Sequence, residues 1–369
     1  MGIPFVHVRA RGTHRELGRA VGEAAREQVH ASVDFFRDDF PAMTNGRLTF
    51  AEAEVEAAAY EAQARRWLPE LVEELEGLAE GSGVPFSALL VLNCGEEFTS
   101  DEPAVCEQPC SRSPRSGDHC TAVAVVAGGR HIVGHNMDWY TVDAVNNVFF
   151  DLTGPDGTRI MGLAGAPYLL MLGMNSRGVG NVSNSVHSTD NRIGVPNAFV
   201  RRSTLAAPTL EAARDLGLLA ARARGTNHFF ADTDGRLWDV ESSATASAFM
   251  DHTAAGLMAH TNHYVSPGMQ PYEGSGGGES EVRIATAERL LAEGLAAGDD
   301  PVDLVARVLG THEPSPRECI CGHPDPSAPP ADQGMTVGSM ICDLDERRVY
   351  ACAGPPCEND YEVFEMGDA

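Results

Sequence analysis

The chain has 369 residues, 43% hydrophobic and 22% charged, with 27 basic against 53 acidic side chains and a formal net charge of -26. That length and apolar content suit one large or two ordinary folded domains, and the acidic balance argues against nucleic-acid and anionic-membrane partners. No run approaches the length of a membrane span, no signal-like apolar core follows the first charges, and the nine cysteines are an odd count, so a cytoplasmic protein with mostly reduced thiols is expected.

Residues 1–119 read as a mostly helical segment. Thr13-His-Arg-Glu16 is a capping box that opens an amphipathic run to about Phe36, and Thr49-Phe-Ala-Glu52 is a second box before an Ala/Glu-rich helix. Pro69 suits the first turn of a third helix that should close at Gly81, and "FSALLVLNC" reads as a short fourth. Residues 100–118, rich in Pro, Ser, Gly and charge, read as an exposed linker.

From Cys120 to the end, residues 120–369 change character to strands. "CTAVAVVA" and "RHIVGHNMDW" flank Gly128-Gly129 as a hairpin. "NNVFFDL", "TRIMGLA", "YLLMLGM" and "GVGNVSNSV" continue the pattern, a helix is expected over "TLEAARDLGLLAARA", and Asp234-Gly235 turns another hairpin. "GLMAHTNHYV" is a strand running into a loop, "VRIATAERLLAEGL" and "PVDLVARVLG" are helices, and "MTVGSMICDLDERRVYACAG" is a last hairpin. In the first of these hairpins both faces are apolar, Ala122, Ala124 and Val126 on one and Val123, Val125 and Ala127 on the other. Such a strand lies between two layers, so two stacked sheets with helices outside are expected.

Cys120 opens that hairpin, and its counterpart depends on the turn. A three-residue loop over 128–130 sets Cys120 across from Asp138, whereas a two-residue loop sets it across from Met137 and turns Asp138 to the other face. The catalytic reading of the pair calls for the first register. A carboxylate alone raises a thiol's pKa, so Asp138 helps only if a cation stands between them. An α-amino group on Cys120 would be that cation, with a reference pKa of about 8 that suits it as a base for its own thiol. It would require cleavage of the His119–Cys120 bond, by attack of the thiol on the His119 carbonyl and hydrolysis of the resulting thioester.

The ordered segments "GTHRELGRAVG", "LAEGSGV", "CTAVAV", "GHNMDW", "GMNSRGVGNVSNS", "HTNHY", "SEVRIATAERLL" and "TVGSMICDLDERRVYACAGPPC" together resemble the acyl-coenzyme A:6-aminopenicillanic acid acyltransferase (isopenicillin N acyltransferase) family. The resemblance spans nearly the whole chain. It implies an α+β fold, the four-layer αββα sandwich of autoproteolytic N-terminal-nucleophile hydrolases. Cys120 would be nucleophile and, after cleavage, amine; Asp138 would orient the amine; Asn262 would supply the oxyanion hole. Asn184 matches a polar position near the pocket, and either Thr336 or Ser339 matches a hydroxyl position there. Three departures stand out. His119 precedes the nucleophile where the penicillin enzyme has glycine. His135-Asn136-Met137-Asp138 replaces the Arg-Asn-x-Asp common in bile salt hydrolases and penicillin V acylases. Gly322 stands where relatives often carry arginine.

The implied substrate is a small acyl amide or acyl thioester, and the implied partner is the chain's own cleaved fragment. No cofactor is expected, because "GSGGGES" lacks the Lys-Ser/Thr of a phosphate loop. Nor is a metal: Cys319-Ile-Cys321-Gly-His323, with His312 upstream, is not the Cys-x-x-Cys spacing of zinc sites. The alternative of another class is an uncleaved, non-catalytic binding protein on the same fold.

Overall fold

The computed structural model describes residues 3–99, 120–274, 278–316, 318–329 and 333–367. Chain order runs β1 (Val6–Arg11), α1 (His14–Ala24), α2 (Arg26–Met43), α3 (Phe50–Trp67), α4 (Pro69–Ser82), α5 (Phe86–Asn93), α6 (Gly95–Thr99), β2 (Thr121–Ala127) and β3 (Arg130–Tyr140). Then come β4 (Asn147–Thr153), β5 (Arg159–Gly165), β6 (Gly173–Asn175), β7 (Val179–Ser185), α7 (Asn197–Leu205), α8 (Leu210–Gly217), β8 (Thr226–Asp232), β9 (Leu237–Ser242), β10 (Ser247–Asp251) and β11 (Leu257–His260). The chain ends with α9 (Glu279–Ala297), α10 (Pro301–Leu309), β12 (Gly334–Asp343), β13 (Arg348–Ala353) and β14 (Glu362–Glu365).

Both capping boxes form: Thr13 and Thr49 each accept from the backbone N–H three residues on, and Glu16 and Glu52 reach back. The helix that Pro69 opens runs past Gly81 to Ser82 and is closed by Gly83 at φ 77°, the left-handed conformation that glycine adopts without strain. Helices α1 and α4 cross through four glycines. A Cβ on Gly18 would stand 1.8 Å from the Glu74 carbonyl oxygen, and one on Gly77 would stand 2.0 Å from that of Arg15, so only hydrogen lets the backbones meet.

Eight strands make one sheet in the order β1-β4-β5-β6-β7-β8-β9-β10, and six make the other, β11-β2-β3-β12-β13-β14. Val133 and Met340 of the second sheet pack against Phe149, Leu163, Val182 and Phe229 of the first. The second sheet's outer face, with Val123, Ile132 and Ile341, is covered by α9 and α10 through Leu291, Val305 and Leu309. The first sheet's outer face, with Val148, Phe150 and Ile160, is covered by the N-terminal helices through Val33, Phe36 and Leu75. The fold is therefore an α+β, four-layer αββα sandwich.

The structure refines three local readings. The N-terminal segment contributes a strand as well as helices: β1 pairs in parallel with β4 at the sheet edge. "YLLMLGM" forms a strand only from Gly173, and the buried helix α7 has no counterpart among the sequence-based elements. The first hairpin turns on Gly128 and Gly129 alone, both at positive φ (59° and 76°), so Ala127 faces Arg130. This is the two-residue loop that the strand twist favours. The expected linker and His119 lie outside the described residues.

Candidate functional site

With that turn, Thr121 pairs with Asn136, and continuing the register sets Cys120 opposite Met137. The three-residue loop called for by direct opposition of Cys120 and Asp138 is not formed. Cys120 instead precedes the strand. Its Sγ lies 3.9 Å from the Asp138 carbonyl oxygen, and both residues line one cavity. Chain position past the strand's end, rather than cross-strand pairing, brings them together.

Asp138 is buried. Its Oδ1 accepts from Thr336 Oγ1 at 2.6 Å, and its Oδ2 has no hydrogen-bond partner among the described residues. Burial pushes its carboxyl up to about 7, against the Thr336 bond and the nearby Arg283 charge, which favour ionisation. Thr336 is itself held by the Gly322 N–H at 2.9 Å. Ser339, the other candidate hydroxyl, donates to Asn136 Oδ1 at 2.7 Å and lies 2.7 Å from the Tyr361 hydroxyl. Of the two, Thr336 is the one bonded to Asp138.

Arg283, on α9, is the cation that sequence reasoning missed. It is buried, and burial lowers its pKa while Asp138 and Cys120 act to raise it. Its Nη1 donates to the Cys120 carbonyl at 2.9 Å and to Thr121 Oγ1 at 3.0 Å; its Nη2 donates to Asn262 Oδ1 at 2.9 Å. One guanidinium thus fastens Cys120 to Asn262. A signal existed: Ala287 and Leu291, four and eight residues on, lie on the buried stripe of α9, so Arg283 occupies a position where helical periodicity calls for an apolar side chain.

Asn262 follows β11 and is buried. Its Nδ2 donates to the Ser185 carbonyl at 2.9 Å, and its backbone N–H donates to Ser280 Oγ at 2.8 Å. The loop after it is pinned by Glu241, which accepts from the Val265 N–H at 2.5 Å and from the Ser266 N–H at 3.0 Å and pairs with buried His260 at 2.9 Å. Although burial opposes the charge, Asp239 and Glu241 hold His260 up at about 9. On β7, Ser183 and Ser185 line the cavity. Asn184 alternates to the other face, where its Nδ2 donates to Asn227 Oδ1 at 3.1 Å.

The rest of the cavity wall is largely apolar, with Leu92, Met137, Trp139, Tyr168, Met171 and Leu172. Its polar end carries Glu96, which Arg201 Nη1 reaches at 2.6 Å. Burial alone would raise the Glu96 carboxyl, but Arg201 and Arg224 bring it down to about 2. Neighbouring Glu97 is pushed up by burial to about 7. The arrangement joins a half-buried thiol, a fixed carboxamide, a buried carboxylate and an apolar chamber.

The family model for acyl-coenzyme A:6-aminopenicillanic acid acyl-transferase matches residues 125–355. The 40 kDa form of acyl-coenzyme A:6-aminopenicillanic-acid-acyltransferase from Emericella nidulans is 23% identical over 263 residues, which cover 70% of this chain and 69% of that protein. Penicillin V acylase from Agrobacterium tumefaciens is similar over 67% of this chain and 86% of its own, at 16% identity and a TM-score of 0.47. A variant of conjugated bile acid hydrolase from Clostridium perfringens is similar over 67% of this chain and 97% of its own, at 12% identity and a TM-score of 0.43.

Proposed function

The chain belongs to the acyl-coenzyme A:6-aminopenicillanic acid acyltransferase family, and from that premise we propose that it cleaves its own His119–Cys120 bond and then moves acyl groups through Cys120. The Cys120 thiol attacks the His119 carbonyl, the backbone nitrogen leaves as an amine, and water splits the thioester. Cys120 then carries an α-amino group, which takes the proton from its own Sγ. The thiolate attacks the carbonyl of an acyl amide or thioester, the amine or thiol leaves with a proton, and an acyl-enzyme remains. Water or an amine removes the acyl group.

Asn262 holds the oxyanion of the tetrahedral intermediate. Its Nδ2 has two N–H bonds, of which one goes to Ser185, leaving a second to donate. Asp138 holds the ammonium of Cys120 through Oδ2, the oxygen with no partner among the described residues. The observation that carries this reading is Arg283, whose bonds to both the Cys120 carbonyl and Asn262 Oδ1 keep nucleophile and oxyanion donor in one frame. The apolar wall supports a hydrophobic acyl chain as the preferred group. The pairing of β1 with β4 supports a heterodimer whose N-terminal piece stays docked after cleavage.

Denatured intact mass of freshly purified protein, beside Cys120→Ala, tests the proposal. Two fragments that divide before Cys120 in the wild type, with one uncut mass in the variant, are expected. A single full-length mass for both overturns self-cleavage and favours an uncleaved binding protein on the same fold.

A further inference from the structure

Four metal-ligand atoms from separate parts of the chain converge next to the strand that carries Thr336. His312 follows α10, Cys321 and His323 lie in the loop beyond it, and Cys357 lies in the turn after β13. His312 Nε2 is 3.1 Å from His323 Nε2, and His323 Nε2 is 3.2 Å from Cys357 Sγ. Cys321 Sγ lies 3.4 Å from Cys357 Sγ and 4.0 Å from His323 Nε2. All four atoms lie within 4.8 Å of one another.

Those separations are close to the edges of a tetrahedron. With Zn–S of about 2.3 Å and Zn–N of about 2.0–2.1 Å, the donor-to-donor edges come to roughly 3.3–3.8 Å. A disulfide would instead bring its two sulfurs to about 2.0 Å. We propose that His312, Cys321, His323 and Cys357 bind one Zn²⁺ in a closed Cys2His2 site. Two thiols lose their protons on binding, so two thiolates and two neutral imidazoles neutralise the dication. Sulfur and imidazole donors select zinc over magnesium or calcium. His323 turns its other nitrogen, Nδ1, toward Glu358 Oε1 at 3.6 Å, the side on which zinc-bound histidines commonly meet a carboxylate.

With four protein ligands the ion has no open position for substrate, so its work is structural. Gly322 sits between two ligands and clasps Thr336: the Gly322 N–H donates to Thr336 Oγ1 at 2.9 Å, and the Thr336 N–H donates to the Gly322 carbonyl at 3.1 Å. The zinc therefore ties the loop after α10 and the turn after β13 to the hydroxyl that bonds Asp138. Of the Cys-x-Cys-x-His run only Cys321 and His323 belong to the site; His312 upstream and Cys357, 34 residues beyond His323, complete the four ligands.

The test is metal analysis of the full chain purified without chelator from zinc-supplemented medium, together with the spectrum after Co²⁺ replacement. One zinc per chain is expected in the wild type and in Cys120→Ala. Cys357→Ser and His323→Ala are each expected to lose it at least tenfold. The Co²⁺ protein is expected to show the intense visible bands of tetrahedral cobalt with a thiolate charge-transfer band. That readout uses the wild type and decides the matter even if the variants fail to fold. A metal-free wild type whose Co²⁺ spectrum lacks those bands overturns the proposal, as does zinc retained in full by folded Cys357→Ser and His323→Ala, or a Cys321–Cys357 disulfide in the isolated protein.

Discussion

Replacing Arg283 with Met tests whether this side chain acts through Asn262. Among the described residues, the substitution removes the hydrogen bonds at 2.9, 3.0 and 2.9 Å to the Cys120 carbonyl, Thr121 Oγ1 and Asn262 Oδ1. Each buried acceptor left unsatisfied costs about 1–3 kcal/mol, while deleting a desolvated cation offsets part of that, so a net loss of a few kcal/mol of stability is expected. The kinetic effect is more diagnostic. Removal of an oxyanion-hole donor costs about 10²–10³ in kcat, or about 2.7–4 kcal/mol, and Asn262→Ala is expected to fall there. Without Arg283 the carboxamide is held by Ser185 alone among these bonds and turns away from its working orientation. Arg283→Met is expected to lose a comparable factor, with KM little changed. The double variant is then expected to be only a few-fold worse than Asn262→Ala, a coupling of about 2–4 kcal/mol. The assay is acyl release from an apolar acyl aryl ester, normalised to cleaved chain counted by intact mass, with urea unfolding of each variant. Losses that multiply in the double variant would refute the positioning role.

Three further outcomes follow from the packing. Glu74 accepts from Arg202 at 2.9 and 2.8 Å between α4 and α7, both side chains buried, so Glu74→Ala is expected to lower unfolding free energy by about 3–5 kcal/mol; a loss under 1 kcal/mol by urea titration would contradict it. Gly77→Ala would put its Cβ 2.0 Å from the Arg15 carbonyl oxygen, and overpacking of at least about 1–3 kcal/mol is expected. An unchanged thermal midpoint would show that the two helices separate at little cost. His260, held up at about 9 from an unfolded value near 6.5, contributes stability that is complete below pH 6.5 and declines as pH rises through about 9. That decline is about 3 kcal/mol at most, and Glu241→Gln is expected to flatten it. Identical pH profiles for wild type and variant would rule the pair out as its source.

Local rules reach some of these features and not others. The capping boxes at Thr13 and Thr49, the Pro69 start and the Gly128-Gly129 turn are short-range interactions, complete within four residues of chain, and they are legible in the sequence. So is the layering, because a strand apolar on both faces has to be covered twice. The register of the first hairpin was a choice between two loops. The structure takes the tighter one, with both glycines at positive φ.

What the sequence by itself determined is most of the local elements, the two-sided strands and the candidacy of Cys120 and Asp138, with Asn262 added by the family resemblance. The tertiary structure alone decided which of the candidates touch. Thr336 rather than Ser339 reaches Asp138, Arg283 links residues 163 and 21 positions away, and Cys357 meets Cys321 across 36. The physical reason is clearest for Thr336 and Arg283, both buried. A buried polar group is stable only where donor and acceptor meet within hydrogen-bond distance, and for partners this far apart in the chain that distance is set by how two sheets and their helices stack.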